Sequence, residues 1–102
     1  MQIVLIGLGR MGANMARRWA RGGIQVVAYD QRAEARASLA DEPGVRTFMS
    51  LPEVVSAREA AASDGARLVW MMLPAGAVTE ATIDALLPLL GAGDLLVDGG
   101  NA

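Results

Sequence analysis

Apolar and polar positions follow two rhythms along this chain. Residues 3–6 form a short continuous apolar run, as expected for a strand buried on both faces, and Gln25–Tyr29, Val45–Phe48, 67–73 and 95–97 read as further strands, 67–73 the most hydrophobic. Between these runs the apolar spacing lengthens to three or four residues. Arg10–Arg21 places Met11, Met15 and Trp19 at i, i+4 and i+8, which predicts a helix packed through that face and stopped by Gly22-Gly23. A second helix is predicted over 32–39, closed by the turn cluster Asp41-Glu42-Pro43-Gly44. Ser50-Leu51-Pro52-Glu53 fits a capping box, with Ser50 accepting from the Glu53 N–H and Glu53 reaching back to Ser50. The helix it opens is predicted to run to Ala62, before Ser63-Asp64-Gly65. A fourth helix over 76–90 turns Ile83, Leu86, Leu87 and Leu90 inward, with Pro88 bending its last turn before Gly91 and Gly93. Strands alternating with helices predict an α/β fold, a doubly wound parallel sheet, because each crossover must pass over a sheet face.

Composition narrows the chemistry. The chain has 102 residues, enough for one domain. A net charge of −2, a pI near 4.9 and the lack of any Lys/Arg run argue against nucleic acid as a partner. The absence of cysteine excludes disulfides and thiolate metal sites, and the absence of histidine removes the commonest general base and metal ligand. All nine basic residues are arginine, so there is no lysine for proton chemistry either. The apolar N-terminus is short, lacks a charged n-region and runs into a glycine turn, unlike a signal peptide, and no stretch has the length of a membrane span. The chain reads as a soluble cytoplasmic domain. Arg17, Arg18, Arg21, Glu59 and Asp64 read as solvated surface, and Met11, Met15, Trp19, Trp70, Met71 and Met72 as core.

The strongest chemical signal is Gly7-Leu8-Gly9-Arg10-Met11-Gly12, which matches G-x-G-x-x-G between a strand and an amphipathic helix. Gly7 permits the tight turn, Gly9 lets backbone approach a pyrophosphate, and Gly12 lets helix and strand pack closely. The helix start adds unpaired N–H groups and a positive partial charge, and Arg10 stands at the same mouth. Asp30 ends the second strand, 21 residues after Gly9, where a carboxylate can accept from adenosine ribose hydroxyls. A 2′-phosphate beside it would be repelled, which favours NAD over NADP; Arg32, two residues on, leaves NADP open. Flavin sites share the glycine pattern, and methyl-donor sites have related glycines. Two further loops leave the same sheet edge. Leu73-Pro74-Ala75-Gly76 can form a flat wall against a nicotinamide ring, and an ordinary strand-to-helix turn explains it equally well. Asp98-Gly99-Gly100-Asn101 can present two glycine N–H groups and the Asn101 amide, with a plain turn as the equal alternative.

Together these residues carry a specific resemblance. Gly-Leu-Gly-Arg-Met-Gly-Ala-Asn-Met-Ala from Gly7, Tyr29-Asp30, the stretch from Val69 to Gly76, and Gly93-Asp94 through Asp98-Gly99-Gly100-Asn101 resemble the 6-phosphogluconate dehydrogenase family, in its short, NAD-preferring bacterial branch. The wider relatives are the β-hydroxyacid dehydrogenases, and the Asp-Gly-Gly-Asn stretch points to the narrower family. The resemblance implies a Rossmann domain and oxidative decarboxylation of 6-phosphogluconate to ribulose 5-phosphate. It implies that Gly7, Leu8, Gly9, Arg10, Met11 and Gly12 hold the pyrophosphate end, and that Asp30 and Arg32 read the ribose. Leu73, Pro74 and Ala75 then line the cofactor, and Asn101, with Gly99 and Gly100, sits next to the substrate. Family members usually carry Ser after this Asn, where Ala102 stands here. The family's lysine base, glutamate acid and helical dimerisation domain fall beyond residue 102. The expectation is a single dinucleotide-binding domain over 1–102, truncated after the fifth strand. It binds cofactor without catalytic residues of its own, and forms a homodimer only with the missing domain. A cofactor domain of a β-hydroxyacid dehydrogenase and a stand-alone NAD-binding module are the alternatives.

Overall fold

The computed structural model describes residues 1–57 and 66–100. Five parallel strands, β1 (Gln2–Ile6), β2 (Gln25–Tyr29), β3 (Val45–Phe48), β4 (Leu68–Met71) and β5 (Leu95–Asp98), form one sheet in the order β3-β2-β1-β4-β5. Strand order reverses at β1, so the loop leaving β1 opens at the point where the crossovers diverge to either side. The helices are α1 (Arg10–Arg21), α2 (Ala33–Ala37), α3 (Leu51–Ser56) and α4 (Ala77–Leu86), the last followed by a 3-10 turn at Leu87–Leu89.

Side-chain alternation on the strands sorts the core into two layers. Val4 and Ile6 of β1, Val27, Val69 and Met71 point to the face covered by Val54 and Val55 of α3 and Leu86 of α4. Leu5, Val26 and Ala28 point to the other face, under Ala13 and Ala16 of α1, Ala35 of α2 and Leu39. Burial on both sides explains why β1 and β2 read as unbroken apolar runs. Trp19 and Trp70 meet edge to face at the margin of the second layer, 5.6 Å between ring centroids.

Several expectations are corrected at their edges. On α1 the buried stripe is Gly12, Ala13 and Ala16, while Met11 is exposed and Met15 half-buried. Close packing on the sheet selects the small residues, and the methionines ride at the margin. Helix α2 is shorter than 32–39, and the last residues of that span form turns that bury Leu39. Helix α3 ends at Ser56 rather than near Ala62: Ala57 is extended and its carbonyl accepts from the Gln2 side chain at 2.9 Å. Ser63, Asp64 and Glu59 lie outside the described residues. The Ser50 hydroxyl accepts from the Glu53 N–H at 3.3 Å as expected, but Glu53 returns its carboxylate to that hydroxyl, at 3.0 Å, instead of to the backbone. After α4, Pro88 tightens the chain into the 3-10 turn, which rotates Leu87 outward and packs Leu89 against the core in its place.

The crossover from α4 into β5 is held by a buried acid. Asp94 accepts from the Arg67 N–H at 2.7 Å and the Gly91 N–H at 2.8 Å, with the Arg67 guanidinium 3.6 Å away. Arg67 also donates to the Leu89 carbonyl at 2.9 Å. On the surface Arg21 pairs with Glu42 at 3.1 Å. No helix among the described residues is long and apolar enough to cross a membrane.

Candidate cofactor site

The ends of β1, β2 and β4 surround a cleft of about 810 Å³, within the range of small-molecule sites. Its floor is the loop between β1 and α1, where three glycines face three different constraints. Gly7 has φ +104°, and a Cβ there would run into the Met72 carbonyl. Its N–H donates to the Tyr29 carbonyl at 2.9 Å, which locks the turn to β2. A Cβ on Gly12 would run into the Gly7 carbonyl. Both positions are glycine because the protein's own packing demands it. Gly9 differs: its φ of −65° suits any residue, and a Cβ there meets no atom within 4 Å. Nothing in the fold needs glycine at Gly9, which leaves bare backbone on the floor of the cleft.

The first turn of α1 opens onto the cleft without a side-chain cap. No side chain caps it at Gly9 and no acid stands in the turn, so its first N–H groups lack partners within the helix. Helix α3, by contrast, is closed by Ser50. Arg10, exposed at the same mouth, lines the cleft.

At the other end stands Asp30, 7% exposed. One carboxylate oxygen accepts from the Leu8 N–H at 2.8 Å and the Arg32 guanidinium at 3.2 Å. The other accepts from the Arg32 N–H at 2.9 Å and Arg32 Nε at 3.1 Å. Burial on its own pushes the Asp30 pKa up. The Arg32 side-chain bond, the Arg32 and Leu8 N–H groups and the Arg32 charge outweigh it and hold the carboxyl below its ordinary range. Asp30 in turn raises the Arg32 pKa. The simple picture of Asp30 as an open acceptor is therefore corrected: it staples the glycine loop to the end of β2, and Arg32 covers it.

The structure brings Gly7, Gly9, Arg10, Met11, Gly12, Asp30, Arg32, Leu73, Pro74 and Gly100 to one cleft. Leu8 is not on its wall; the side chain is buried in the second core layer and only its N–H serves the site. Ala75 is exposed beside the wall without lining it. The N–H groups of Gly99 and Gly100 are not free either: they donate to the Met71 carbonyl at 2.9 Å and to Asp98 Oδ1 at 3.0 Å. Glycine at both positions has a packing reason, since a Cβ would strike the Trp70 ring at Gly99 and the Leu73 carbonyl at Gly100. Asn101 and Ala102 lie outside the described residues. One wall was missed altogether. Val78, Ala81, Thr82 and Ala85 of α4 line the cleft at i, i+3, i+4 and i+7, a run with helical spacing that Ile83, Leu86 and the leucines after the helix overshadow. Met72, assigned to the core, lines it too. Among the described residues no group of three or more His, Cys, Asp or Glu is arranged to hold a metal ion.

A parallel sheet that reverses at β1, a glycine loop there against an uncapped helix, and an acid closing β2 define a dinucleotide-binding domain of the Rossmann type. The family model for the NAD binding domain of 6-phosphogluconate dehydrogenase matches residues 2–102, and the chain belongs to that family. The NAD(+)-dependent, decarboxylating 6-phosphogluconate dehydrogenase of Haloferax volcanii is 42% identical over 102 residues, covering 100% of this chain and 32% of the relative. The Staphylococcus aureus (strain N315) 6-phosphogluconate dehydrogenase, decarboxylating, is 38% identical over 98% of this chain and 21% of its own length. Among solved structures, Mycobacterium tuberculosis 3-hydroxyisobutyrate dehydrogenase superposes with a TM-score of 0.81 at 30% identity, over 97% of this chain and 31% of the other. Plasmodium falciparum 6-phosphogluconate dehydrogenase, described with its cofactor NADP+ and its substrate, gives 0.81 at 25% identity, over 100% of this chain and 22% of the other. The chain thus spans a third or less of the length of these relatives.

Proposed function

We propose that this domain binds a nicotinamide dinucleotide for an enzyme that oxidises and decarboxylates 6-phosphogluconate to ribulose 5-phosphate. The observation that carries the cofactor assignment is Gly9. It is a glycine without internal need, on the floor of a cleft, at the head of an uncapped helix. In this reading the pyrophosphate lies over Gly9 and the first turn of α1, with Arg10 beside it and Gly7 and Gly12 shaping the loop. The adenosine ribose lies at Asp30 and Arg32. Leu73 and Pro74 line the cofactor, with Ala75 next to them, and Met11 closes the mouth. The role between nicotinamide and substrate falls to Asn101 by the family resemblance, with Gly99 and Gly100 preceding it in the chain.

When bound, the dinucleotide supplies the hydride acceptor. This chain's own residues bind and orient it. Asp30, the acid that lines the cleft, is held by Arg32 and Leu8 and serves the binding site's shape. The substrate assignment rests on the decarboxylating dehydrogenases that match the whole chain. The catalytic acid and base, and the contacts of a homodimer, belong to a further helical domain, and a cytoplasmic location goes with this metabolic role. The 3-hydroxyisobutyrate dehydrogenase likeness favours a second reading, a β-hydroxyacid substrate. Calorimetry of the 102-residue chain with NAD tests the first step, and binding without reduction in the presence of 6-phosphogluconate is the expected result. Comparing 6-phosphogluconate with 3-hydroxyisobutyrate as substrates of the full-length protein decides between the two readings.

A further inference from the structure

The two faces of the sheet are covered unequally. Leu68 and Trp70 of β4 stand in register with Leu95 and Val97 of β5. By strand alternation all four point to the α1 side, opposite Val69, Met71 and Leu96 in the first core layer. Met72, just past β4, belongs to the same side. There α1 packs against β1, β2 and β3, and Trp19 at its margin reaches across to Trp70. Beyond α1 lies an apolar strip: Leu95 is 58% exposed, and Leu68, Trp70, Met72 and Val97 are half-buried. Parallel sheets are covered on both faces, so a bare strip of this kind calls for a partner.

We propose that this strip seats an apolar helix, contributed in cis by the further domain, lying beside α1 across β4 and β5. The inference rests on the reading that such a domain accompanies this one. Two strands of four residues make the strip about 13 Å long and about 10 Å wide, the diameter of one helix. Its five side chains are uncharged, so the face laid on it is apolar. Its size selects a tethered occupant. The strip offers a few hundred Å² at most, against about 800 Å² per partner in a stable complex, so a second copy of this chain would bury too little to stay. A tethered segment acts at an effective concentration in the millimolar range and needs no such area. The Haloferax volcanii relative is matched over only 32% of its length, which leaves ample chain for the task. The seat also reaches the cleft. Trp70 Nε1 donates to the Met72 sulfur at 3.3 Å, and Met72 lines the cleft. The Trp70 ring packs so closely on Gly99 that no Cβ fits there. A helix resting on Trp70 therefore steadies both the Met72 wall and the loop after β5.

Thiol labelling tests this, because the 102-residue chain has no cysteine and one placed on the strip is unique within it. Leu95→Cys is made in the 102-residue chain and in the full-length protein. Met49→Cys, 75% exposed just past the strand at the far edge of the sheet, is the reference in both. Circular dichroism establishes that each protein is folded, and peptide mass spectrometry follows maleimide labelling at each site. Leu95→Cys is expected to label in the 102-residue chain at close to the Met49→Cys rate, and about tenfold more slowly or worse in the full-length protein. Met49→Cys should label alike in both. Leu95→Lys gives a second reading: it should leave the urea midpoint of the 102-residue chain unchanged and lower that of the full-length protein. Equal labelling of Leu95→Cys in the two proteins overturns the proposal. So does protection of the full-length protein that vanishes on dilution, which assigns the cover to another molecule. Labelling of the 102-residue chain that slows as its concentration rises assigns the strip to a second copy and overturns the proposal as well. A natural protein without a further helical domain overturns the two-domain reading itself, a different and recognisable result.

Discussion

Replacing each glycine of the loop by alanine should separate folding from binding. At Gly12 the added methyl meets the Gly7 carbonyl inside a closed contact, and overpacking of this kind costs about 1–3 kcal/mol. Removing a glycine from a helix returns about 0.5–1 kcal/mol, so the net loss is at most about 2.5 kcal/mol. At Gly7 the positive φ adds about 1–2 kcal/mol to a clash with the Met72 carbonyl, which makes it the costlier site. At Gly9 the methyl enters open space from an ordinary backbone conformation. Lower chain entropy in the unfolded state gives back about 0.4–1 kcal/mol, and alanine is a poorer N-cap than glycine by a similar amount. The stability of Gly9→Ala should therefore lie within about 1 kcal/mol of wild type. Its methyl occupies the closest approach to the proposed pyrophosphate, so NAD affinity should fall by tenfold or more, about 1.4 kcal/mol. Urea unfolding followed by circular dichroism reads the first quantity and calorimetry the second. A Gly9→Ala chain that loses more than about 2 kcal/mol of stability, or binds NAD as wild type does, refutes the division of labour among the three glycines.

The Asp30 staple predicts a pH dependence of known sign. Because its pKa is lowered on folding, its contribution is complete above the ordinary carboxylate value of about 3.9 and is lost as pH falls through the lowered value. The stability gap between wild type and Asp30→Asn, measured by urea midpoints, should narrow as pH drops below about 4; a gap that widens in acid would sink the assignment. Asp94→Ala strands the N–H groups of Arg67 and Gly91 and a half-buried guanidinium. It should cost about 3 kcal/mol, the low end for a broken buried pair, with NAD affinity at the distant cleft unchanged in the folded fraction. Ser50→Ala removes the only cap of α3 and should cost about 1 kcal/mol in the same unfolding assay, against no change for the exposed Met49→Ala.

Most of the architecture was written in the chain because parallel sheets leave an unmistakable mark. Strands buried on both faces must be apolar, and β1 and β2 are, after the half-buried glutamine that opens each. What went astray on α1 follows from the same packing. The largest apolar residues attract notice, but the helix rests on the sheet through Gly12, Ala13 and Ala16 because small residues permit the approach. The α4 wall was overlooked for a similar reason. Val78, Ala81, Thr82 and Ala85 carry little hydrophobic signal, and only their position opposite the glycine loop gives them meaning. Spacing located Asp30 and Arg32 correctly but said nothing of the bonds between them, which depend on side-chain rotamers that no linear pattern encodes.

That gap between position and bonding changes how the glycine motif works with its acid. A motif reader treats the glycine loop and Asp30 as two independent contacts, one for each end of a cofactor. In the folded chain Leu8 joins them, its side chain buried beneath the loop and its N–H fixed on the carboxylate. The loop's shape therefore depends on the acid, and the acid's charge is buffered by Arg32. Loss of Asp30 should loosen the pyrophosphate end as well as the ribose end. The two are distinguishable by ligand. If the coupling is real, Asp30→Ala weakens binding of inorganic pyrophosphate, which has no ribose to read, whereas Asp30→Asn, with an acceptor left for Leu8, largely spares it. Equal pyrophosphate affinity in Asp30→Ala and wild type, by competition against NAD or by direct titration, would return the two contacts to independence.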